Sequence, residues 1–120
     1  QRMFELWRGR MLRDYCSEII SRQAKQFPDM ASIPEIRVRK KVRTFAGYGK
    51  LSGTIFVSPE IYGFSEKTIR YILACQLIAM TYGEDQLESW LTRMFGDLSP
   101  YLFSYENDIA EFLLESFPGE

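Results

Sequence analysis

Residues 71–80, YILACQLIAM, are apolar at every position except Gln76. A helix that is hydrophobic nearly all round is normally buried on every side, so this stretch predicts the central helix of the fold. We expect the Ser65 side chain to cap the N-terminus of this helix and Gly83 to close its C-terminus in the left-handed conformation. Gln76 is the polar exception, and hydrogen bonds within the core would be enough to explain it.

Alternating residues before this helix predict a small sheet. Residues 35–45 alternate between two faces, which predicts a first strand with four cations on one side. These cations are Arg37, Arg39, Lys41 and Arg43. Residues 45–51 and 54–58 predict a hairpin that turns at Ser52-Gly53. Residues 59–62 then predict a short helical turn that begins with proline.

Three further helices are predicted around this sheet. Residues 3–26 carry apolar side chains at three- and four-residue steps, which predicts a long amphipathic helix. Residues 87–95 show the same spacing and end at a glycine. After a connector that starts at Ser99-Pro100, residues 104–117 predict the last helix, whose acidic face is solvated or meets a basic partner. The apolar stripe of this helix is Tyr105, Ile109, Phe112, Leu113 and Phe117.

These elements predict an α+β fold in a single domain that spans residues 1–120. The domain would consist of the long N-terminal helix, the small three-stranded sheet, the buried central helix and two further helices. The chain starts at Gln1 rather than at a methionine, and we expect it to be part of a longer polypeptide.

The order of these elements resembles that of the SprT-like and related small zincin metallopeptidases, in which two strands precede a helix that carries HExxH. Here the order runs RVRKKVRTFAGYG, GTIFVSPEIY, TIRYILACQLIAMTYG and EDQLESWLTRMFG, over roughly residues 33–95. The overlay places Cys75 and Ala79 at the two histidines, Gln76 at the glutamate and Gln86 at the third ligand. The resemblance therefore implies a zincin-like fold with a degenerate motif, Cys75-Gln76-Leu77-Ile78-Ala79.

The residues at these positions decide the chemistry. A hydrolytic zinc ion needs about three nitrogen or carboxylate ligands and an open position for water. The chain contains no histidine, Ala79 has no donor atom, and the amide of Gln76 takes up no proton near neutral pH. A single thiol such as Cys75 usually packs as a small apolar side chain. We therefore expect a catalytically inactive pseudoenzyme with no metal ion and no cofactor.

Hydrolysis by a serine or cysteine nucleophile is disfavoured for the same reason. Serine and cysteine triads normally need a histidine, which this chain does not contain. An enzyme that uses only carboxylates is the catalytic alternative that stays open.

The net charge of −1 conceals two halves of opposite sign. Residues 1–70 carry 14 Lys or Arg against 7 Asp or Glu, and residues 71–120 carry 1 against 9, which gives +7 and −8. This separation favours polar partner surfaces. The apolar run at residues 71–80 has about half of the ~20 residues that cross a bilayer, so no membrane span is expected. Cys16 and Cys75 fit free thiols in a reducing, intracellular compartment, with a disulfide between them left open.

Together these observations favour a non-catalytic module that binds a protein partner or belongs to a larger assembly. The expected surfaces are a sheet edge, to which a peptide would add as a strand, and the vestigial cleft around Cys75, Gln76 and Gln86. The alternative is a nucleic-acid-binding module that uses the basic strand at residues 37–43. Phe45 is the only aromatic residue in line with those cations, too few for a stacking platform. A solvated edge strand protected by charge would show the same pattern.

Overall fold

The computed structural model describes residues 2–30, 32–40 and 44–116, with side chains from Trp7 to Glu115. Within these ranges the chain forms four α-helices, three strands and two short 3-10 turns, which confirms the predicted α+β fold. In chain order they are α1 (Arg2–Ala24), β1 (Glu35–Val38), β2 (Ala46–Gly49), β3 (Thr54–Val57), the Pro59 turn (Pro59–Gly63), α2 (Glu66–Tyr82), the Glu84 turn (Glu84–Gln86), α3 (Leu87–Phe95) and α4 (Ser99–Ser116).

The three strands form a mixed sheet in the order β1-β3-β2. β1 runs parallel to β3, with Ile36 opposite Ile55. β2 runs antiparallel to β3, with Tyr48 opposite the same residue, and this pair is the predicted hairpin. Gly53 has a φ of 65° in the connecting turn, a conformation that glycine adopts without steric cost.

The predicted first strand is too long, because β1 ends at Val38 rather than at residue 45. Arg39 still donates its backbone N–H to the Val57 carbonyl at 2.8 Å. β3 stops at that residue, since the Ser58 side chain accepts the backbone N–H of Glu60 and starts the Pro59 turn. Of the described residues after Arg39, Lys40 therefore has no β3 residue opposite it. Residues 41–43 lie outside the described part of the chain.

Helix α2 joins the sheet to the other helices through one buried face. The fully or almost fully buried apolar side chains of this helix are Ile69, Ile72, Leu73, Ala74, Leu77 and Ile78. They form one cluster with Leu12, Cys16 and Ile20 of α1 and with Ile55 and Val57 of β3. The central helix predicted from residues 71–80 is thus confirmed.

The prediction that α2 is buried on every side is wrong. Tyr71, Cys75, Gln76 and Met80 are only partly buried. The physical reason is length: the 17 residues of α2 extend for about 25 Å, whereas strands of four residues extend for about 13 Å. The sheet cannot cover the whole helix, and Gln76 therefore needs no partner inside the core.

Ser65 precedes α2 as predicted, but its side chain does not cap the helix. Its Oγ and its backbone N–H both donate to Asp108 Oδ2 of α4, at 3.0 and 2.9 Å. The hydroxyls of Thr68 and Ser104 lie 3.1 and 2.6 Å from Ser65 Oγ. A carboxylate of α4 thus lies at the positive end of the α2 dipole. Gly83 ends α2 with φ 103° and ψ 157°, outside the predicted left-handed helical region, because the chain passes directly into the Glu84 turn.

Helix α4 begins at Ser99 rather than at residue 104. Asp97 Oδ1 accepts the backbone N–H of Ser99 at 3.0 Å, and Pro100 occupies the first turn, where a missing N–H breaks no helical hydrogen bond. The predicted connector at Ser99-Pro100 is therefore the first turn of the helix. Phe117, the last residue of the predicted stripe, lies outside the described residues.

The link between α4 and the start of α2 can be tested by substitution. We expect Asp108→Asn to lower the free energy of unfolding by about 1–2 kcal/mol, because the amide loses the charge-assisted hydrogen bonds to Ser65. The matched control, Glu111→Gln on the same helix, is exposed and should change stability by less than about 0.5 kcal/mol. Urea unfolding followed by circular dichroism measures both variants. Equal losses in the two would contradict the role of Asp108.

Candidate functional site

The residues of the predicted vestigial site lie on α2 and on the turn that follows it. Cys75, Gln76 and Ala79 share one side of α2, since Ala79 comes one helical turn after Cys75. Ala79 is 7% exposed, and the other two are partly buried. Gln86 is exposed in the Glu84 turn, where its backbone N–H donates to the Gly83 carbonyl at 3.1 Å. The structure therefore brings three of the four side chains to one side of α2 and puts the fourth at the surface of the turn.

The environment of Cys75 disfavours the thiolate. Burial raises the pKa of the Cys75 thiol to about 11, although the Tyr71 hydroxyl, which forms a hydrogen bond to the sulfur, lowers it somewhat. Burial is also the main reason that the pKa of Tyr71 is raised to about 12. Since the thiolate is the form that attacks carbonyl groups or binds metal, Cys75 at neutral pH is a protonated apolar side chain.

The described side chains that could bind a metal ion are dispersed over the domain. Within residues 2–30, 32–40 and 44–116, no three His, Cys, Asp or Glu side chains lie close enough together to hold an ion. Both cysteines are free thiols, and Cys16 is fully buried, which raises its pKa to about 12. The described donors therefore do not form a metal centre around Cys75.

The predicted basic strand is described at two of its four cations. Arg37 and Arg39 lie on the same face of the sheet, whereas Lys41 and Arg43 lie outside the described residues. Arg37 Nε forms an exposed ion pair with Glu35 Oε1 at 3.4 Å. The Arg39 guanidinium lies 4.9 Å from the centre of the Phe56 ring. These two contacts hold the cations at the surface of the sheet without burying them.

A groove of about 970 Å³ runs between α1 and the β1 edge of the sheet. Its helix wall carries Leu12 and three arginines, its strand wall carries Ile36 and Val38, and Tyr62 of the Pro59 turn lies at one end. We call it the basic groove because five cations line it against two carboxylates, Glu35 and Glu60. The cations are Arg8, Arg10, Arg13, Arg37 and Lys40.

Sequence reasoning missed the basic groove, because its two walls are far apart in the chain. The strand pattern predicts Arg37 on one face of a strand, whereas the arginines of α1 belong to a separate helix earlier in the chain. The sequence did contain one signal of the groove. Arg10 and Arg13 flank Leu12, which belongs to the core, so these two arginines lie close to the face of α1 that packs against the domain. Packing of α1 against β1 then brings the two sets of cations to one groove.

The β1 edge offers little backbone for strand addition. Glu35 donates its backbone N–H to the Gly53 carbonyl just before β3, and Arg39 donates to the Val57 carbonyl of β3. The alternating residues Ile36 and Val38 therefore direct their N–H and C=O groups away from β3. Ile36 is only 2% exposed and Val38 is partly exposed. No described strand pairs with this edge. Within β1, Val38 is the described residue whose outward N–H and C=O groups a partner could reach.

The β2 edge is similarly restricted. The Phe45 carbonyl accepts the backbone N–H of Ser58 at 2.8 Å, so Ala46 and Tyr48 are the outward-directed residues of β2. Ala46 is 2% exposed, and its carbonyl already accepts the Thr44 hydroxyl at 2.9 Å. Tyr48 is partly exposed. A peptide strand would find one accessible residue at each edge of the sheet.

Helix α4 presents a second apolar surface on the side away from α2. Its inner side packs through Tyr105, whose ring lies 5.9 Å from that of Tyr71, and through Phe112, whose ring lies 5.3 Å from that of Phe45. We call the opposite side the outer face of α4. It consists of Leu102 (41% exposed), Phe103 (70%), Leu113 (49%) and Leu114 (73%), with the exposed Glu106 and Ala110 between them.

The outer face of α4 was also missed, since the predicted helix began only at residue 104. Leu102 and Phe103 then fell in a connector, and Leu113 was placed on the inner stripe. With the observed start at Ser99, Leu102 and Leu113 are eleven residues apart, which is close to three helical turns. Phe103 and Leu114 repeat this spacing. Pro100 was the signal that could have extended the helix.

Comparison with known proteins gives no assignment. No protein-family model matches the chain, and no curated protein matches it. None of the described helices is long and apolar enough to cross a lipid bilayer. The functional argument therefore depends on the geometry of the basic groove, the outer face of α4 and the side of α2 that carries Cys75.

The two thiols should react slowly in the folded protein. Their pKa values of about 11 and about 12 exceed the usual 9.0, so burial favours the protonated form. This contribution to stability is complete below about pH 9 and is lost as the pH rises through the two folded-state pKa values. We expect iodoacetamide labelling at about pH 8 to be much slower than in urea-unfolded protein. Mass spectrometry measures both rates, and equal rates at Cys75 would contradict its burial.

Proposed function

We propose that this domain is a non-catalytic protein-binding module that holds its partner on the outer face of α4. The observation that carries the proposal is the exposure of Phe103 at 70% and Leu114 at 73%, on the same helix face three turns apart. Contiguous exposed apolar surface of this kind is typical of protein interaction sites. The scaffold would be that of a pseudo-metallopeptidase, as the resemblance to SprT-like zincins implies.

The outer face of α4 is not needed to attach the helix to the domain. The inner side already makes ring contacts through Tyr105 and Phe112 and hydrogen bonds through Ser104 and Asp108. Side chains the size of leucine or phenylalanine gain about 1.5–3 kcal/mol each when they leave water completely. Covering the four side chains of the outer face with a partner would therefore contribute favourable hydrophobic free energy to binding.

The charges beside this face specify the chemistry of the partner. Glu106 lies within the apolar strip, and Glu111 and Glu115 are exposed along one border of it. Residues 99–116 contain no Lys or Arg. We therefore expect the partner to present an apolar helix stripe flanked by Lys or Arg, because opposite charges at the rim set orientation and increase the association rate.

The cleft side of α2 supports a binding role over a catalytic one. Cys75 is held as a protonated thiol by its raised pKa, and Gln76 has an amide that cannot act as a general base. Its partly exposed amide can still donate and accept hydrogen bonds. Under the overlay, Cys75, Gln76, Ala79 and Gln86 would occupy the positions of a peptidase site without its chemistry.

Loss of catalysis can be tested with zinc. We expect excess Zn²⁺ to change the thermal unfolding midpoint by less than about 1 °C, because a ligand that does not bind the folded state cannot stabilise it. We also expect no cleavage of fluorescently labelled casein. The variant Cys75→His, Gln76→Glu, Ala79→His, Gln86→His supplies three ligands and the glutamate, and it should gain zinc binding if the overlay is correct. Stoichiometric zinc or casein cleavage in the unchanged protein would contradict the proposal.

The outer face of α4 can be tested with a model partner. The probe is a labelled amphipathic helical peptide with leucine on one face and lysine on the other, compared with a peptide in which glutamate replaces lysine. We expect the lysine peptide to bind more tightly, and the double variant Phe103→Ser, Leu114→Ser to weaken it by about tenfold or more. Fluorescence anisotropy measures binding, and sedimentation detects self-association, which would identify a second copy as the partner.

Two controls separate binding from folding. Leu51→Ser removes an apolar side chain that is fully exposed in the hairpin turn, and it should leave peptide binding unchanged. Because Phe103 and Leu114 are exposed, their replacement should alter the free energy of unfolding by less than about 0.5 kcal/mol per site. If the double variant binds the lysine peptide as well as the original protein does, the outer face of α4 is not the binding surface.

Nucleic-acid binding is the second candidate function, and the basic groove is the observation that favours it. The cations proposed at first, Arg37, Arg39, Lys41 and Arg43, would act together with the arginines of α1. A strong decrease of affinity with salt would be expected from contacts to phosphates. Among the described residues that line the groove, Tyr62 is the one aromatic, and it offers few stacking positions.

A further inference from the structure

We infer that the basic groove binds an extended, acidic segment of a protein partner. This site is separate from the outer face of α4, since it lies between α1 and β1, whereas α4 packs on α2. It therefore goes beyond the proposed function and can fail without it. The inference depends on the charge of the groove walls, on the contacts that hold those charges and on the shape of the space between them.

The charges of the groove are unbalanced and stand on both walls. Arg8, Arg10 and Arg13 are on the helix side, and Arg37 and Lys40 are on the strand side. A segment that enters the groove therefore has cations on two sides, which favours several carboxylates spread along the segment rather than one anion at a single point.

The two carboxylates of the groove offset only part of its positive charge, since five cations line it. Glu35 is already paired with Arg37 at 3.4 Å. Glu60 Oε1 accepts the Ser58 hydroxyl at 2.8 Å, which holds it at the start of the Pro59 turn. On the helix wall, Arg13 contacts Asp14 at 3.3 Å, in an exposed pair of the kind that contributes little. At Arg13 and Arg37, an acidic ligand would thus compete only with exposed ion pairs, which contribute little.

The floor of the groove fits a peptide chain. Leu12 and Ile36 are 3% and 2% exposed, so they form a closed apolar base. Val38 is partly exposed and directs its N–H and C=O groups away from β3. One residue of an extended segment can exchange hydrogen bonds with this peptide unit, while its neighbours place side chains toward the arginines of α1 and toward Arg37.

The same geometry favours a peptide over a nucleic acid. Bases bind such grooves by stacking on free aromatic faces. Tyr62 lines the groove, but the Arg8 guanidinium lies 4.5 Å from the centre of its ring and covers one face. Since the described walls offer no other aromatic ring, the groove has several cations for phosphates but at most one ring face for a base.

The test uses the full chain and labelled peptides of about eight residues, long enough to cross a strand edge. One peptide alternates Glu with Thr, and matched peptides carry Gln or Lys in place of Glu. An oligothymidylate of similar charge is the nucleic-acid probe. We expect the Glu peptide to bind about tenfold more tightly than the Gln peptide and more tightly than the oligothymidylate, and the Lys peptide not to bind.

Variants locate the site within the molecule. Arg10→Gln with Arg13→Gln should weaken Glu-peptide binding by about fivefold. Arg22→Gln with Lys25→Gln removes the same charge at and just after the C-terminal end of α1, and it should have less than about a twofold effect. Circular dichroism confirms that both remain folded. Arg10→Lys with Arg13→Lys keeps the charge and should retain most of the binding.

Several results would overturn the inference. Equal binding of the Glu and Gln peptides would show that charge is not recognised, and equal losses in the two Gln double variants would show that the groove is not the site. Tighter binding of the oligothymidylate, lost in the groove variant, would assign the groove to nucleic acid. Loss of Glu-peptide binding in the Phe103→Ser, Leu114→Ser variant would move the site to α4. If that variant still binds the Glu peptide, and the helical lysine peptide does not bind the original protein, the groove is supported as a site and the role of α4 is rejected.

Discussion

Burial of one face of α2 is the constraint on which the rest of the structure depends. Leu73, Leu77 and Ile78 are fully buried, and the cluster that they form includes side chains of α1 and of all three strands. A small domain can bury only part of its apolar surface, so it has few such contacts to spare. The four-residue strands are too short to cover a helix of 17 residues. The length of α2 thus requires another element, and α4 supplies it.

This requirement explains why α4 has apolar side chains on two sides. Its inner side must cover α2, which it does through Tyr105 and through the hydrogen bonds of Asp108 with Ser65. A helix needed only for that purpose would carry polar residues on its other side. The exposed Phe103 and Leu114 therefore have no role in covering α2. An added partner is the simplest physical use for them, since water is an unfavourable neighbour for so much apolar surface.

Local features of the chain were predictable, and contacts between distant segments were not. The apolar run in α2, the turn at Ser52-Gly53 and the spacing in α3 each depend on a few consecutive residues, and each agrees with the structure. The cap of α2 comes from Asp108, 43 residues after Ser65, and no local pattern could supply it. The basic groove likewise needs α1 to pack against β1. The early start of α4 is different, because Pro100 signalled it locally and was assigned to a connector instead.

The packing places the opposite charges of the two halves of the chain at two separate surfaces. In the basic groove, cations from α1 and β1 add their fields, since both elements belong to the positive half. On the outer face of α4, only carboxylates accompany the apolar side chains. Fields of opposite sign at separate surfaces select partners of opposite charge, although the net charge of −1 would predict no preference. Because neither surface uses the side of α2 that carries Cys75, the proposed binding function does not require those residues.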